Sequence, residues 1–206
     1  MRRALGPLEP VAVRTYRDAF IDLDSLAVTI GSLAPDAGRV LEVGCGDGAM
    51  AASLCRVLPA AELLGIDPGM AIPGRMFDGD RDRVTFRRVT TGQLIADGSS
   101  PFDLVVLCDV LHHVADAERA QVLRDAADLT APGGIVAVKE WENRGGIGSA
   151  MAYCADRWVS GDATVRFMPR PEIDGLIDGA LPGWPRTCEA RIPPRRANVL
   201  VTLRRP

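Results

Sequence analysis

His112 and His113, the only histidines of the chain, are adjacent and follow the mostly apolar run 102–108. A neutral imidazole titrates near neutral pH and can take a proton from a hydroxyl or a phenol. Asp109, which directly follows the same run, is a second candidate base. Adjacent side chains rarely point the same way, so we expect one histidine to face a pocket and the other to pack or cap. The alternative stays open that neither takes a proton and that both shape a binding site.

No separated carboxylate and histidine partners accompany this pair at metal-ligand spacing, so no metal site is predicted. The five cysteines are scattered without a C-x-x-C pair, which indicates reduced thiols rather than a disulfide framework or a zinc site. Lys139 is the only lysine among 24 basic residues. We interpret that preference for arginine as nucleotide-composition bias.

A glycine-rich turn offers a second kind of chemistry. Gly44, Gly46 and Ala49 match the pattern G-x-G-x-x-G/A after a short apolar run, and Asp67 lies 21 residues beyond Gly46. The pattern alone fits a dinucleotide as well as S-adenosylmethionine. Charge separates the two, because Glu42 before the turn and Asp47 inside it would crowd a pyrophosphate at the helix N-terminus. A cationic sulfonium with an ammonium suits acidic surroundings, so the turn favours the methyl donor.

Strand and helix patterns alternate along most of the chain, which predicts a parallel sheet covered by helices on both faces. The predicted strands are 39–43, 61–66, 84–89, 102–107 and 134–139. The predicted helices are 11–31 (ending near Gly31), 49–57, a weak one at 70–77, a turn near Gln93, and 117–129. Two further strand-like runs, 188–192 and 198–203, are too close together for a helix between them, so they predict an antiparallel hairpin. Residues 141–185 interrupt the alternation with two expected helices and several aromatic residues, and predict a cap beside the ligand crevice.

The segment Val40-Leu-Glu-Val-Gly-Cys-Gly-Asp-Gly48 resembles the first motif of class I S-adenosylmethionine-dependent methyltransferases. Three later segments resemble further motifs of this family in order and spacing: 65–70, 102–114 and 129–138. The resemblance covers residues 36–140. It implies a doubly wound α/β fold, namely a mostly parallel seven-stranded Rossmann-like sheet with an antiparallel C-terminal hairpin.

The resemblance also implies roles for individual residues toward S-adenosylmethionine. Glycines of the turn let the backbone approach the methionine part, Asp67 binds the ribose hydroxyls, and Met70 packs against adenine. The acidic residue that the family commonly offers to the adenine amino group is missing, and Thr90 or Thr91 would take its place. The full expected donor set is Tyr16, Glu42, Gly44, Cys45, Gly46, Asp67, Pro68, Met70, Thr90, Thr91 and Cys108.

We expect a single methyltransferase domain with an N-terminal helical lid at 1–35, a donor-binding core at 36–140, a cap at 141–185 and a terminal hairpin at 186–206. The expected reaction is methyl transfer to oxygen or nitrogen of a small-molecule acceptor, in specialised metabolism. The alternatives are an RNA or protein methyltransferase and a non-methylating S-adenosylmethionine-binding protein. A net charge of −3 argues against nucleic acid as a partner. We expect a cytoplasmic monomer or homodimer without membrane contact.

Overall fold

A computed structural model of the protein describes residues 20–70, 72–146 and 165–206. Seven strands form one sheet with the order β3-β2-β1-β4-β5-β7-β6. The strands are β1 (Arg39–Val43), β2 (Glu62–Ile66), β3 (Val84–Arg87), β4 (Phe102–Cys108), β5 (Thr130–Trp141), β6 (Arg186–Arg191) and β7 (Asn198–Arg204). Pairing is parallel from β3 to β5, and β7 is antiparallel to both of its neighbours. The predicted fold class is confirmed.

Five α-helices and one 3₁₀ turn accompany the sheet within the described residues. They are α1 (Leu23–Leu33), α2 (Ala49–Val57), α3 (Thr91–Ala96), the 3₁₀ turn Leu111–His113, α4 (Asp116–Asp128) and α5 (Arg170–Ala180). No helix in this part of the chain is long and apolar enough to cross a bilayer.

The two faces of the sheet bury separate hydrophobic clusters. Val40, Leu104 and Ile135 belong to the cluster that includes α1 and α2. The next residue of each strand, Leu41, Val105 or Val136, belongs to the cluster that includes α3, α4 and α5. Because successive side chains of a strand point to opposite faces, central strands covered on both sides need continuous apolar runs. The runs in β1, β4 and β5 have this character, which is why the sequence reveals them.

The terminal hairpin has the two predicted strands, but their order in the sheet could not be predicted from local sequence patterns. β7 lies between β5 and β6, and pairs with β5 over seven residues from Ile135↔Arg204 to Trp141↔Asn198. The final strand is therefore buried, and β6 forms the edge of the sheet with alternating exposure.

The weak helix predicted at 70–77 is wrong. The described part of that segment forms turns with Gly74 at a positive φ of 66°, a conformation that interrupts a helix. Its backbone donors bind the glycine turn instead, with Gly74 N–H to the Gly46 carbonyl at 3.0 Å and Met76 N–H to the Asp47 carbonyl at 2.9 Å. The connection between β2 and β3 thus supports the turn after β1.

The N-terminal helix, predicted to end near Gly31, continues two residues further. The helix begins after the cap residue Asp22, whose side chain accepts from Ser25 N–H, and it continues through Gly31 to Leu33. A Cβ at Gly31 would lie 3.1 Å from Val57 Cγ2, so this glycine permits close packing of α1 on α2. The residues of the predicted helix before Phe20 lie outside the described residues.

Gly65→Ala tests the packing beneath the glycine turn. A Cβ there would lie 2.7 Å from the Phe86 ring and 3.0 Å from Cys45 Cβ, so we expect a loss of about 1–3 kcal/mol in the free energy of unfolding. The matched control is Gly175→Ala, inside α5 with no atom within 4 Å of the new Cβ, which should be neutral or stabilising by up to ~1 kcal/mol. Urea denaturation measures both, and equal effects would contradict the packing argument.

Candidate functional site

The loops that follow β1, β2, β4 and β5 meet at one edge of the sheet. These strands are parallel neighbours, with Val43 opposite Ile66 and Leu107, and Cys108 opposite Lys139. Ligands of open α/β sheets bind outside the carboxyl ends of the strands, and that edge gathers the glycine turn, Asp67, Asp109 and the histidine pair.

The glycine turn needs glycine at its two ends for different reasons. Gly44 has a φ of 69°, and a Cβ there would lie 2.6 Å from Val110 Cγ2, so the turn and the segment after β4 touch. Gly48 has a φ of 92° and precedes the first residue of α2. A Cβ at Gly46 would have no atom within 4 Å, so the expected close approach of backbone to a ligand is open at Gly46, whereas Val110 fills the corresponding space at Gly44.

Four backbone N–H groups of the turn donate to acceptors inside the protein. Those of Gly44 and Cys45 bind the Ile66 carbonyl at 2.7 and 3.0 Å, and Gly48 N–H binds the Cys45 carbonyl at 2.9 Å. Gly46 N–H donates to Asp67 Oδ2 at 2.9 Å. A phosphate at a helix N-terminus needs such donors. Their internal use argues against a dinucleotide more directly than the charges do.

Asp67 lies where the resemblance requires a ribose-binding carboxylate, at the end of β2. Asp67 Oδ2 accepts from Gly46 N–H, and Asp67 Oδ1 accepts from Gly69 N–H at 2.8 Å and from Met70 N–H at 3.0 Å. A carboxylate has about four lone-pair sites, so acceptor capacity is left for a hydroxyl. These bonds hold the carboxylate between the loops after β1 and β2.

The candidate adenine residues surround the next loops. Met70 is half-buried and Pro68 is exposed, with the Pro68 carbonyl accepting from Arg88 Nε at 3.2 Å. Thr90 caps α3 by accepting from Gln93 N–H at 3.1 Å. The buried Thr91 hydroxyl donates to Asp125 Oδ2 at 2.6 Å and joins α3 to α4. Because both hydroxyls serve the fold, their predicted contact with adenine would have to come from other atoms.

The pKa values of Cys45 and Cys108 respond to the charges around the turn. Burial raises the pKa of Cys45, and the carboxylates of Glu42, Asp67 and Asp47 raise it further. Burial also raises the pKa of Cys108. The carboxylates of Asp109, Glu42 and Glu140 raise it further, and the Lys139 ammonium lowers it. The region thus has an excess of negative charge. A cation is stabilised there and an anion is not.

The buried His112 pairs with a residue that the sequence reading missed, Glu140. His112 Nδ1 lies 2.7 Å from Glu140 Oε2, and the two side chains are 2% and 1% exposed. The other Glu140 oxygen accepts from Val110 N–H at 3.0 Å and Leu111 N–H at 2.7 Å. His113 is half-buried, with its ring centroid 4.3 Å from that of His112. The two histidines therefore have the different environments that their adjacency predicted.

The charge on Glu140 follows from its partners. Burial by itself would raise the pKa of Glu140, but the charge of His112 and hydrogen bonds from His112 and Leu111 outweigh burial, and the pKa lies below the ordinary value of 4.5. The pair therefore holds an ionised carboxylate inside the sheet edge.

Asp109 is held by the second missed residue, Lys139. The Lys139 ammonium, 1% exposed, donates to Asp109 Oδ2. Asp109 has a φ of 57°, in the left-handed region that few residues other than glycine adopt. A signal for both missed residues was present, since Lys139 and Glu140 are two charges at the end of an otherwise apolar strand.

The expectation that the histidines lack a carboxylate partner is wrong, because β5 brings Glu140 to His112. Ligand atoms of Asp109, His112 and Glu140 all lie within 4.8 Å of one another. Each of these side chains already takes part in the hydrogen bonds described above, and an ammonium adjoins the group. Absence of a metal stays a prediction.

Aromatic residues line the region beside His112. The Phe167 ring centroid lies 4.8 Å from that of His112 and 6.3 Å from that of Trp141, and Phe20 lies 5.7 Å from Trp141. Met168 instead packs into the main core with α4 and α5. The candidate Tyr16, and the cap residues 147–164 with the first expected cap helix, lie outside the described residues.

A cleft of about 620 Å³ runs along α2, between the start of α1 and the β6–β7 loop. Ala49, the residue after Gly48, lines it, together with Ile21, Met76 and Pro194. The cleft therefore adjoins the glycine turn, while Asp109 and the histidines are not among its lining residues.

Comparison with known proteins matches residues 41–136 to the model of a methyltransferase domain family. Among curated proteins, ubiquinone biosynthesis O-methyltransferase of Azorhizobium caulinodans is 34% identical over 81% of this chain and 62% of its own length. The enzyme of the same name from Maricaulis maris is 28% identical over 77% and 61%. The chain thus spans about three fifths of the length of these relatives.

Solved structures share the fold. Burkholderia thailandensis 1,6-didemethyltoxoflavin-N1-methyltransferase, solved with S-adenosylhomocysteine, superposes with a TM-score of 0.70 at 18% identity, over 99% of this chain and 86% of that one. The N-methyltransferase NodS of Bradyrhizobium japonicum gives 0.63 at 14% identity, over 98% and 91%. The sheet order, the glycine turn and these matches define a methyltransferase domain. The chain belongs to the S-adenosylmethionine-dependent methyltransferases.

Glu140→Gln tests the buried pair through its pH dependence. Because the folded pKa of Glu140 is lowered, its contribution to stability is complete above the unfolded value of 4.5 and is lost as pH falls through the folded pKa. We expect the variant to lose about 1–3 kcal/mol at neutral pH, and the difference from wild type to shrink as pH falls from about 5 to about 3. Urea denaturation across this range measures it. Glu62→Gln, on an exposed position of β2, is the control, and a pH-independent difference for Glu140→Gln would contradict the assignment.

Proposed function

We propose that the protein transfers the methyl group of S-adenosylmethionine to an oxygen or nitrogen of a small-molecule acceptor. One observation carries this proposal: the glycine turn is surrounded by carboxylates, and its N–H groups donate inside the protein. Such a turn suits a cation without phosphate groups. Sequence relatives named O-methyltransferases and structural neighbours named N-methyltransferases support transfer to either kind of atom.

The residues at the carboxyl edge suit the donor in charge. Asp67 would accept from the ribose hydroxyls, Met70 would pack on the adenine, and Gly44 and Gly46 would let the methionine part lie against the backbone. Glu42, 2% exposed below the turn, would add negative charge near the ammonium. S-adenosylmethionine, when bound, supplies a methyl group on a positively charged sulfur that needs no further activation.

We assign the general base to His112 rather than His113. A carboxylate that accepts from Nδ1–H fixes the tautomer of an imidazole and leaves the lone pair on Nε2. Glu140 has this position, and two backbone donors orient its carboxylate in turn. An aligned nucleophile and a base are what methyl transfer requires of the protein. The hydrogen bonds of the pair also explain why a buried histidine is tolerated.

The acceptor is proposed to be planar and partly apolar. Phe167 packs on His112, and Trp141 and Phe20 extend that aromatic surface. Residues 1–35 would form a lid, 36–140 the donor core, 141–185 a cap and 186–206 the hairpin. The proposed setting is a cytoplasmic monomer or homodimer in specialised metabolism, with no nucleic-acid partner.

Calorimetry with S-adenosylhomocysteine and with NAD tests donor binding. We expect S-adenosylhomocysteine to bind and NAD not to bind. Asp67→Ala should weaken binding by about 1.5–3 kcal/mol, on the order of 10- to 100-fold, because charge-assisted bonds are lost. Asp36→Ala, an exposed change in the turn before β1, should bind as wild type does. NAD binding without S-adenosylhomocysteine binding would overturn the proposal.

The histidine assignment is tested by single-turnover rates of His112→Ala and His113→Ala. Product is detected by mass spectrometry as a gain of one methyl group, first on 3,4-dihydroxybenzoate and then on other phenols and amines. Loss of a general base costs on the order of 10²- to 10⁴-fold in rate, so His112→Ala should lose this much and His113→Ala much less. The reverse order would move the base to His113, and wild-type rates in both would remove the histidine mechanism.

A further inference from the structure

Trp141 and Asn198 lie directly opposite each other where β5 ends. They form the terminal pair of the antiparallel ladder between β5 and β7. Residues directly opposite in such a ladder send their side chains to the same face of the sheet. Phe20 contacts both of them, because its ring centroid lies 5.7 Å from that of Trp141 and its carbonyl accepts from Asn198 Nδ2 at 2.6 Å. The two side chains therefore border the same region.

Each side chain of this pair has a buried polar atom without a partner. Trp141 is 8% exposed and Asn198 is 0% exposed. Neither Trp141 Nε1 nor Asn198 Oδ1 has a hydrogen-bond partner within residues 20–70, 72–146 and 165–206. A buried donor or acceptor that lacks a partner lowers stability, and native proteins rarely keep one without a reason such as a ligand. Packing alone requires neither an indole N–H nor an amide here.

The direction of the Asn198 amide follows from its contact with Phe20. A backbone carbonyl can only accept, so the amide nitrogen must face the Phe20 carbonyl and Oδ1 must point elsewhere. The indole of Trp141 can only donate. The pair thus presents one donor and one acceptor from neighbouring strands. A hydroxyl group satisfies both, because it accepts through a lone pair and donates its own proton.

Aromatic rings connect this pair to the proposed base. The Phe167 ring centroid lies 6.3 Å from that of Trp141 and 4.8 Å from that of His112. Arg166 N–H donates to the His112 carbonyl at 2.9 Å, which fixes the chain beside Phe167. Mostly apolar surroundings with a few convergent polar groups are typical of a small-molecule site.

The cleft along α2 reaches the neighbours of this pair. Ile21, which follows Phe20 in the chain, forms an isolated bridge with Pro194, and both residues line the cleft. Ile192 N–H donates to the Asn198 carbonyl at 3.0 Å, so Asn198 closes the β6–β7 loop that borders the cleft. Its volume of about 620 Å³ is in the range of small-molecule sites. Open space of a suitable size therefore adjoins the pair.

We propose that Trp141 and Asn198 determine acceptor specificity by binding a hydroxyl group that is not methylated. This inference rests on the proposed function and deepens it. The hydroxyl accepts from Trp141 Nε1–H and donates to Asn198 Oδ1, while the group to be methylated lies at His112. The acceptor is then an aromatic ring that carries one hydroxyl besides the reacting group.

The test measures acceptor binding by calorimetry with S-adenosylhomocysteine present at saturation. The probes are 3,4-dihydroxybenzoate and its two relatives that lack one hydroxyl, 3-hydroxybenzoate and 4-hydroxybenzoate. Binding affinity does not depend on how reactive each phenol is. We expect wild type to bind the dihydroxy compound about 10-fold more tightly than either monohydroxy compound, as a hydrogen-bonded hydroxyl in a buried site implies.

Two variants remove one contact each. Trp141→Phe keeps an aromatic ring without the N–H, and Asn198→Leu keeps a similar volume without the amide. Each should reduce the preference for the dihydroxy compound at least threefold and leave the affinity for S-adenosylhomocysteine unchanged. The double variant should lose no more than the larger single effect, because both contacts serve one hydroxyl. The matched control is Trp184→Phe, which lies against the other hydrophobic cluster and should keep the wild-type preference.

Each outcome decides for or against the inference. A wild-type preference in folded Trp141→Phe would make the pair structural and overturn it. Equal weakening of all three probes would indicate packing alone and overturn it too. Wild type that shows no preference, or binds none of the probes, also contradicts hydroxyl recognition, whereas its binding of S-adenosylhomocysteine would leave the proposed function standing. Should Asn198→Leu not fold, Trp141→Phe alone decides. No binding of S-adenosylhomocysteine by wild type would contradict the proposed function itself.

Discussion

Negative charge at the carboxyl edge of the sheet is the constraint on which the site depends. Glu140 is buried there, and Asp67 and Asp109 are half-buried beside it. A carboxylate that is withdrawn from water costs free energy unless donors surround it. Each one is met by donors from a neighbouring loop or strand: backbone N–H groups, an ammonium or an imidazole. Satisfying these charges fixes the loops relative to one another.

The same arrangement explains why this edge suits a cation. The N–H groups of Gly44, Cys45 and Gly46 already donate to Ile66 and Asp67, so few donors of the turn are left to bind a phosphate. The carboxylates give this edge an excess of negative charge, which contributes to the raised pKa of Cys45 and of Cys108. Loop conformation and ligand preference therefore have one physical origin, and a change that loosened the turn would weaken both.

Where sequence reasoning failed, a distant contact outweighed a local preference. The sequence predicts a weak helix at 70–77, yet the N–H groups of Gly74 and Met76 donate to the glycine turn, and these bonds hold the backbone in turns. Gly31 resembles a helix stop, but it lies inside α1 where Val57 approaches. The order β5-β7-β6 likewise follows from burying the apolar β7 between two strands, which no local pattern reveals.

The sequence by itself determined the sheet, the position of the glycine turn and the family, because apolar runs and glycine requirements are local properties of the chain. Only the tertiary structure decided what Lys139 and Glu140 do. Arginine-rich composition made the single lysine look incidental, and a glutamate at the end of an apolar strand is a signal that does not by itself identify a partner. Their roles arise from the pairing of β4 with β5, which sets Cys108 opposite Lys139 and brings a histidine and an aspartate from 28 and 30 residues away to the same edge.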